Sequence, residues 1–159
     1  MDVKIRPLEI KDAYTSVKWR NDPEVFKYTG NTYNHIITID SEIEWIKKVM
    51  ANPNDYRCAI IAEGKYVGNI YLTDIEGGKA TYHIFIGDKE YWGKGVAYKA
   101  SQHIIEYGFQ YLNLNEIVLK VRRENNRAYT LYKKLGFQEY DSDGNWCSMC
   151  LQKQSSDDL

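Results

Sequence analysis

Ile84-Phe85-Ile86-Gly87-Asp88-Lys89-Glu90-Tyr91-Trp92-Gly93-Lys94-Gly95-Val96-Ala97-Tyr98 passes from a β-type stretch through a short glycine-bearing loop into a helical pattern, and its reading decides the fold. Gly93 and Gly95 let the backbone approach a ligand closely. The amides left free at the start of the following helix, at the positive end of its dipole, suit a pyrophosphate. Two other glycine loops compete. A GxxxxGK phosphate loop needs Ser or Thr after the lysine. A dinucleotide loop needs GxGxxG early in a βαβ unit, whereas Gly95 is followed by Val-Ala-Tyr and the preceding strands read as hairpins. Taken alone, Gly-Lys-Gly also fits an ordinary turn at a helix start.

Working outward, residues 56–63, 66–74 and 79–87 are β-rich runs separated by Glu63-Gly64-Lys65 and Glu76-Gly77-Gly78, which predicts three antiparallel strands joined by tight turns. On the C-terminal side, Ala97, Ala100, Ile104 and Tyr111 recur at helical spacing over residues 95–112. A strand follows at 114–121, a helix at 128–135, and strands at 137–140 and 146–152. On the N-terminal side, residues 3–8 read as a strand and 10–20 as a helix ending near Asn21-Asp22-Pro23, with a second short helix opening at Pro23. After a polar stretch through Asn34, Ser41-Glu42-Ile43-Glu44 has capping-box spacing and opens a helix carrying Ile43, Trp45, Ile46, Val49 and Met50. The expected order is β-α-α-β-β-β-α-β-α-β-β.

With 159 residues the chain fits a single domain over 1–153, at a size where roughly 70% of the unfolded surface is buried, and residues 154–159 read as a disordered tail. Basic and acidic residues are interspersed and the net charge is -1, which removes the single-sign field that non-specific nucleic-acid or membrane binding requires. No apolar run approaches the roughly 18 to 20 residues of a membrane span, and the start of the chain lacks a signal peptide's apolar stretch. Three cysteines, Cys58, Cys147 and Cys150, cannot all pair with one another, so a cytoplasmic, reduced setting is expected. Cys147 and Cys150 form a lone CxxC on a strand, where a separation of three puts them on opposite faces, and no metal site is expected.

A second segment makes the glycine loop specific: Val121-Arg122-Arg123-Glu124-Asn125-Asn126-Arg127-Ala128-Tyr129-Thr130-Leu131-Tyr132-Lys133-Lys134-Leu135-Gly136-Phe137. Trp92 to Ala97 resembles the pattern (Gln/Arg)-x-x-Gly-x-(Gly/Ala), and the second segment resembles Asn-x-x-Ala-x-x-Leu-Tyr-x-Lys-Leu-Gly-Phe, the paired motifs of the GCN5-related N-acetyltransferases. Trp92 departs from the pattern's Gln or Arg. Because the cradle works mainly through backbone amides, this change should alter packing or adenine-side contacts more than it abolishes binding.

The resemblance implies an α/β (α+β) fold with a mixed, mostly antiparallel sheet of about seven strands, splayed between the fourth and fifth, and about four flanking helices. It implies acetyl-CoA as cosubstrate, with no metal. Backbone groups of Phe85 and Ile86 would pair with pantetheine; Trp92, Gly93, Lys94, Gly95, Val96 and Ala97 would form the pyrophosphate loop; Asn125 and Arg127 would face the coenzyme. Tyr132 matches the tyrosine that protonates the departing thiolate, although Ala128, Leu131, Tyr132 and Leu135 also form one apolar stripe in which a tyrosine is ordinary core. The attacking amine must lose a proton, and relatives often carry a glutamate on the strand at 79–87. Here the positions read Thr81, Tyr82 and His83, so His83, with a reference pKa near 6.5, is the first choice of base. Glu42 and Glu44 are weaker choices, while His35 and His103 read as surface or packing residues.

The first helices and the loops at 31–39 should wall the acceptor side. Trp19-Arg20-Asn21-Asp22-Pro23-Glu24-Val25 resembles the ribosomal-protein, spermidine and amino-sugar branches of the family. The short ending Tyr140-Asp141-Ser142-Asp143-Gly144-Asn145-Trp146 resembles amino-sugar acetyltransferases, which places an amino-sugar nucleotide slightly ahead of a polyamine. A protein N-terminus as acceptor, and a non-catalytic acyl-CoA-binding module, are the alternatives. The partner expected is a small-molecule amine, without nucleic acid or membrane, and a homodimer is allowed for.

Overall fold

The computed structural model describes residues 1–25 and 36–154. One seven-stranded sheet organises the chain: β1 (Val3–Pro7), β2 (Tyr56–Ala62), β3 (Lys65–Glu76), β4 (Lys79–Ile86), β5 (Glu116–Arg122), β6 (Gln138–Asp143) and β7 (Trp146–Gln152), in the order β1-β2-β3-β4-β5-β7-β6. Four helices cover it: α1 (Ala13–Arg20), α2 (Ile39–Met50), α3 (Val96–Gln110) and α4 (Asn126–Leu135). The element order matches the reading of the sequence among the described residues. The short helix expected from Pro23 is described only as a turn to Val25, and the rest of it, like His35, the loop at 31–35 and residues 155–159, lies outside the described residues.

The β2-β3-β4 meander turns where the sequence puts flexible residues. Glu63 and Gly64 have φ of 51° and 78°, and Gly77 and Gly78 have 60° and 79°; left-handed conformations at both central positions match the twist of the flanking strands. β3 runs buried from Val67 to Thr73 because helices cover both faces of the sheet. On one face Ile70, Leu72, Ala80, Tyr82 and Ile117 cluster with Val96, Ala100 and Ile104 of α3. On the other, Leu8, Ala59 and Tyr71 cluster with Trp45 of α2. Burying one such aliphatic or aromatic side chain contributes about 1.5–3 kcal/mol. β6 is exposed along its whole length, an edge strand blunted by Glu139, Asp141 and Asp143.

Two helix starts differ from expectation. The helix read over 10–20 begins as a 3-10 turn, Ile10–Asp12, in which the buried Asp12 carboxylate accepts from both Arg6 guanidinium nitrogens at 2.8 Å and from the Glu9 amide at 2.8 Å. In α2 the cap is Thr38 rather than Ser41: Thr38 Oγ1 accepts from the Ser41 amide at 3.1 Å, and Ser41 lies one turn inside. Thr38-Ile39-Asp40-Ser41 offers an earlier oxygen at the spacing a cap requires, so the helix gains a turn. Glu44, freed from the expected capping role, faces water beside Lys47, while Glu42 faces inward and is fully buried.

The site follows from one irregularity. β4 and β5 run parallel and pair only at Lys79–Glu116, Ala80–Ile117 and Thr81–Val118. Beyond Thr81, β4 continues along β3 to Ile86 and β5 continues along β7 to Arg122, so the sheet splays where the sequence reading placed the opening. No helix among the described residues is long and apolar enough to cross a membrane.

Candidate active site

The splay opens into a cleft of about 1600 Å³ that reaches from the glycine loop to the α1–α2 face of the sheet. Strand alternation decides which backbone groups meet it. The Gly87 amide donates to the Val67 carbonyl at 2.8 Å, which turns the backbone groups of Phe85 and His83 toward β3, where Phe85 pairs with Asn69. Ile84 and Ile86 turn theirs toward the gap that β5 has left. Of the pair expected to face a pantetheine, Ile86 turns its backbone groups toward the gap and Phe85 toward β3, because alternate residues of a strand address opposite neighbours. Phe85 instead sets its ring edge-on to Trp19, centroids 6.1 Å apart.

At the mouth, Gly93 and Gly95 take φ of 73° and 80°, and open space lies where their Cβ atoms would stand. Gly95 caps α3 without a side chain, so it supplies no oxygen to the first-turn amides of the helix. Gly93, Gly95, Val96, Ala97 and Tyr98 line the cleft with Trp92. Lys94 turns outward, its ammonium 5.7 Å from the Tyr91 ring. On the facing wall Asn125 caps α4, its carboxamide oxygen accepting from the Ala128 amide at 3.2 Å, and Arg127 and Lys134 line the cleft beside it. Lys134 lies 4.4 Å from the centroid of Tyr98. Uncapped amides, two glycines with room before them and two cations opposite suit a diphosphate, and the gap-facing strand edge suits an amide-bearing arm. These residues fit coenzyme A. Among the described residues no cluster of His, Cys, Asp or Glu could hold a metal ion.

Tyr132 lines the middle of the cleft from α4. It is 9% exposed and packs edge-on against Tyr82 at 5.6 Å and Phe137 at 6.0 Å, so it belongs to the apolar stripe and to the cleft at once. Burial raises its pKa well above the usual phenol value, which keeps the O–H donor intact throughout the working pH range.

The far end gathers residues from α1, α2, β2, β3 and β4. Of the three candidate positions on β4, Tyr82 turns the other way, its hydroxyl 2.6 Å from Ser101 Oγ on α3, and Thr81 lies where β4 still pairs with β5. His83 opens onto the cleft, its Nε2 3.0 Å from Thr73 Oγ1. Desolvation and the Arg57 guanidinium lower its pKa below 6.5, against the opposing pull of Asp74 and Asp55, so the imidazole is neutral at pH 7. Glu42 does not line the cleft: it accepts from Ser16 Oγ at 2.7 Å and stands 3.9 Å from Arg20. His103, read as a surface or packing residue, is exposed, its Nε2 2.9 Å from the Val3 carbonyl oxygen.

The sequence reading missed Arg57, Tyr71 and Asp74 at this end. Arg57 lies 4.5 Å from the Tyr71 ring and 5.5 Å from the Trp45 ring while pairing with Asp55 at 2.9 Å. A signal existed in β2, where Arg57 and Ala59 alternate onto one face. It names a face, however, and not a site.

A cleft of this kind, with a splayed strand edge leading to an uncapped helix start, defines an acyl-coenzyme A-dependent transferase. Residues 2–138 match the acetyltransferase (GNAT) domain family. The chain is 33% identical to the uncharacterized N-acetyltransferase p20 of Bacillus licheniformis over 85% of this chain and 78% of that protein. It is 31% identical to the spermidine N(1)-acetyltransferase of Escherichia coli K12 over 85% of this chain and 72% of that protein. Among solved structures, spermidine N-acetyltransferase from Vibrio cholerae in complex with CoA and spermine superposes with a TM-score of 0.84 at 25% identity, covering 94% of this chain and 95% of that one. The chain belongs to the GNAT acetyltransferase family. It is an N-acetyltransferase that uses acetyl-CoA as cosubstrate to acetylate amines.

Proposed function

We propose that the acceptor is a primary amine on a small molecule and that the class favoured is a polyamine. The observation that carries this is the charge at the far end of the cleft. Arg20 and Arg57 each have a carboxylate, Glu42 and Asp55, and Glu24 is held by Lys89 at 2.7 Å. Asp74 lines the cleft near His83 and has no ion-pair partner among the described residues. The uncompensated charge is therefore negative, which attracts a second ammonium and opposes a diphosphate-bearing sugar. The similarity to spermidine acetyltransferases supports the same class. An amino-sugar acceptor is the second reading, supported by the short ending, in which only Gly144 and Asn145 join β6 to β7.

The reaction is direct attack. The amine nitrogen bonds to the thioester carbonyl carbon and the C–S bond breaks. His83, directly or through a water, takes the proton that the amine must lose, and the Tyr132 hydroxyl donates to the departing sulfur. In this reading the gap-facing amide of Ile84 polarises the carbonyl oxygen.

The test is thiol release from acetyl-CoA with spermidine, an amino-sugar nucleotide or an N-terminal peptide as acceptor. Spermidine should give the highest kcat/KM, and Asp74→Asn should raise its KM about tenfold, the value of one charge-assisted contact at about 1.4 kcal/mol. Turnover with the sugar nucleotide alone would establish the second reading. Coenzyme binding without thiol release from any amine would reduce the protein to a binding module.

A further inference from the structure

We propose that Trp92 is a positioning residue for the coenzyme: its indole N–H fixes the distance between the glycine loop and the gap-facing edge of β4. The inference rests on the coenzyme assignment above and adds a role for the one residue at which the loop departs from its family pattern. After β4 the chain makes a 3-10 turn, Lys89–Tyr91, and Trp92 follows in an extended conformation with φ of -71° and ψ of 140°. This turns its side chain back toward the strand just left. Nε1 donates to the Ile86 carbonyl at 2.8 Å, and an indole has this one donor and no other.

That carbonyl is not an arbitrary acceptor. Ile86 is the last residue of β4, and alternation turns its backbone groups toward the gap. The next residue, Gly87, is fixed from two other sides: its amide bonds to Val67, and the Trp19 ring fills the place of its missing Cβ. The strand end is therefore rigid, and Trp92 ties the glycine loop to it across six residues. A ligand that touches both the β4 edge and the first-turn amides of α3 binds best when the spacing between them is set in advance, because a loose loop must be ordered on binding. Trp92 sets that spacing with a hydrogen bond that needs no ligand. Trp92 also lines the cleft, so the tie lies beside the space the coenzyme would fill.

Trp92→Phe keeps an aromatic ring but removes the donor together with the five-membered part of the indole, and Trp92→Gln restores a donor, without an aromatic ring, on the side chain that the family pattern carries. Affinity for free coenzyme A is read by titration calorimetry, with no acceptor present, and acetyl-CoA kinetics are read alongside. Trp92→Phe should weaken coenzyme A binding about tenfold and raise the acetyl-CoA KM in step, with kcat changed by less than about twofold. This corresponds to about 1.4 kcal/mol. Trp92→Gln should return to within about threefold of the parent. Unchanged affinity in Trp92→Phe overturns the proposal, as does a Gln variant as weak as the Phe variant, or a fall in kcat at constant affinity. Failure of the parent protein to bind coenzyme A would overturn the coenzyme assignment and the proposal together, whereas the other three outcomes leave the assignment standing.

Discussion

Gly87→Ala tests how tightly α1 is held against the strand that borders the cleft. A Cβ built on Gly87 falls 1.9 Å from Trp19 Cδ2 and 2.4 Å from Cε2 and Cε3, all atoms of the ring body rather than a flexible tip. Ordinary contact begins near 3.4 Å, so ring or strand must shift by about 1.5 Å. Trp19 has little room to move: it is 8% exposed and packs on Tyr66 at 4.7 Å and on Phe85. The upper end of the overpacking range applies, about 3 kcal/mol, which lowers Tm by roughly 6–12 °C in a chain of this size. Gly87 does not have positive φ, so alanine meets no backbone strain there. With the ring removed, the sign should therefore reverse. In a Trp19→Ala background, Gly87→Ala should be neutral or stabilising by up to about 1 kcal/mol, because alanine restricts the unfolded chain. Scanning calorimetry on the four proteins of this double-mutant cycle provides the measurement. A single variant within about 2 °C of the parent, or an equal loss in both backgrounds, would refute the packing argument.

The other predictions concern the site and α2. Tyr132→Phe should lower kcat by roughly a hundredfold while coenzyme A affinity holds; unchanged turnover would return Tyr132 to the core stripe. In the parent, kcat/KM should fall as pH drops through the His83 value, below 6.5, since the base must be neutral, and His83→Ala should lose that limb along with most activity. The same depressed pKa gives a stability that is present above the unfolded value near 6.5 and lost as pH falls through the folded value. Urea midpoints of the parent should accordingly drop more between pH 7 and pH 5 than those of His83→Ala, and parallel curves would contradict it. Thr38→Ala should cost about 1 kcal/mol as a lost cap, and Ser41→Ala, inside the helix, less than half of that; equal losses would deny the assigned helix start.

Much of the fold was legible because its signals are local. Glu63-Gly64 and Gly77-Gly78 mark turns by conformational need, and the apolar spacing of α3 marks a helix, without reference to the rest of the chain. The error at α2 has the same origin. Ser41-Glu42-Ile43-Glu44 satisfies a local pattern, but Thr38 offers a capping oxygen one turn earlier, and the burial of Glu42 beside Ser16 and Arg20, 26 and 22 positions away in sequence, favours the longer helix. Which of the neighbours Phe85 and Ile86 turns its backbone to the gap lies at a finer grain, since only the ladder register decides it.

The two ends of the cleft differ in kind, and that difference explains why the coenzyme was readable and the acceptor was not. The coenzyme end is built from backbone: a strand edge exposed by divergence, glycines that keep space open, and amides at a helix start. Backbone sites constrain a few residues within one contiguous stretch, so they leave a motif. The acceptor end is built from side chains of Arg20, Trp45, Arg57, Tyr71, Asp74 and His83, contributed by α1, α2, β2, β3 and β4. No stretch of sequence contains more than a few of them, and each has an ordinary structural use in its own element. In the proposed reading their meaning arises from charge balance across the cleft, where pairing neutralises two arginines and Asp74 lines the cleft without an ion-pair partner among the described residues. One consequence separates the ends experimentally. Charge reversal at Asp74 should redirect acceptor choice toward anionic amines while leaving coenzyme A affinity within about twofold, because the interaction is screened over the length of the cleft. A parallel loss of coenzyme affinity would mean that the two ends are a single electrostatic unit.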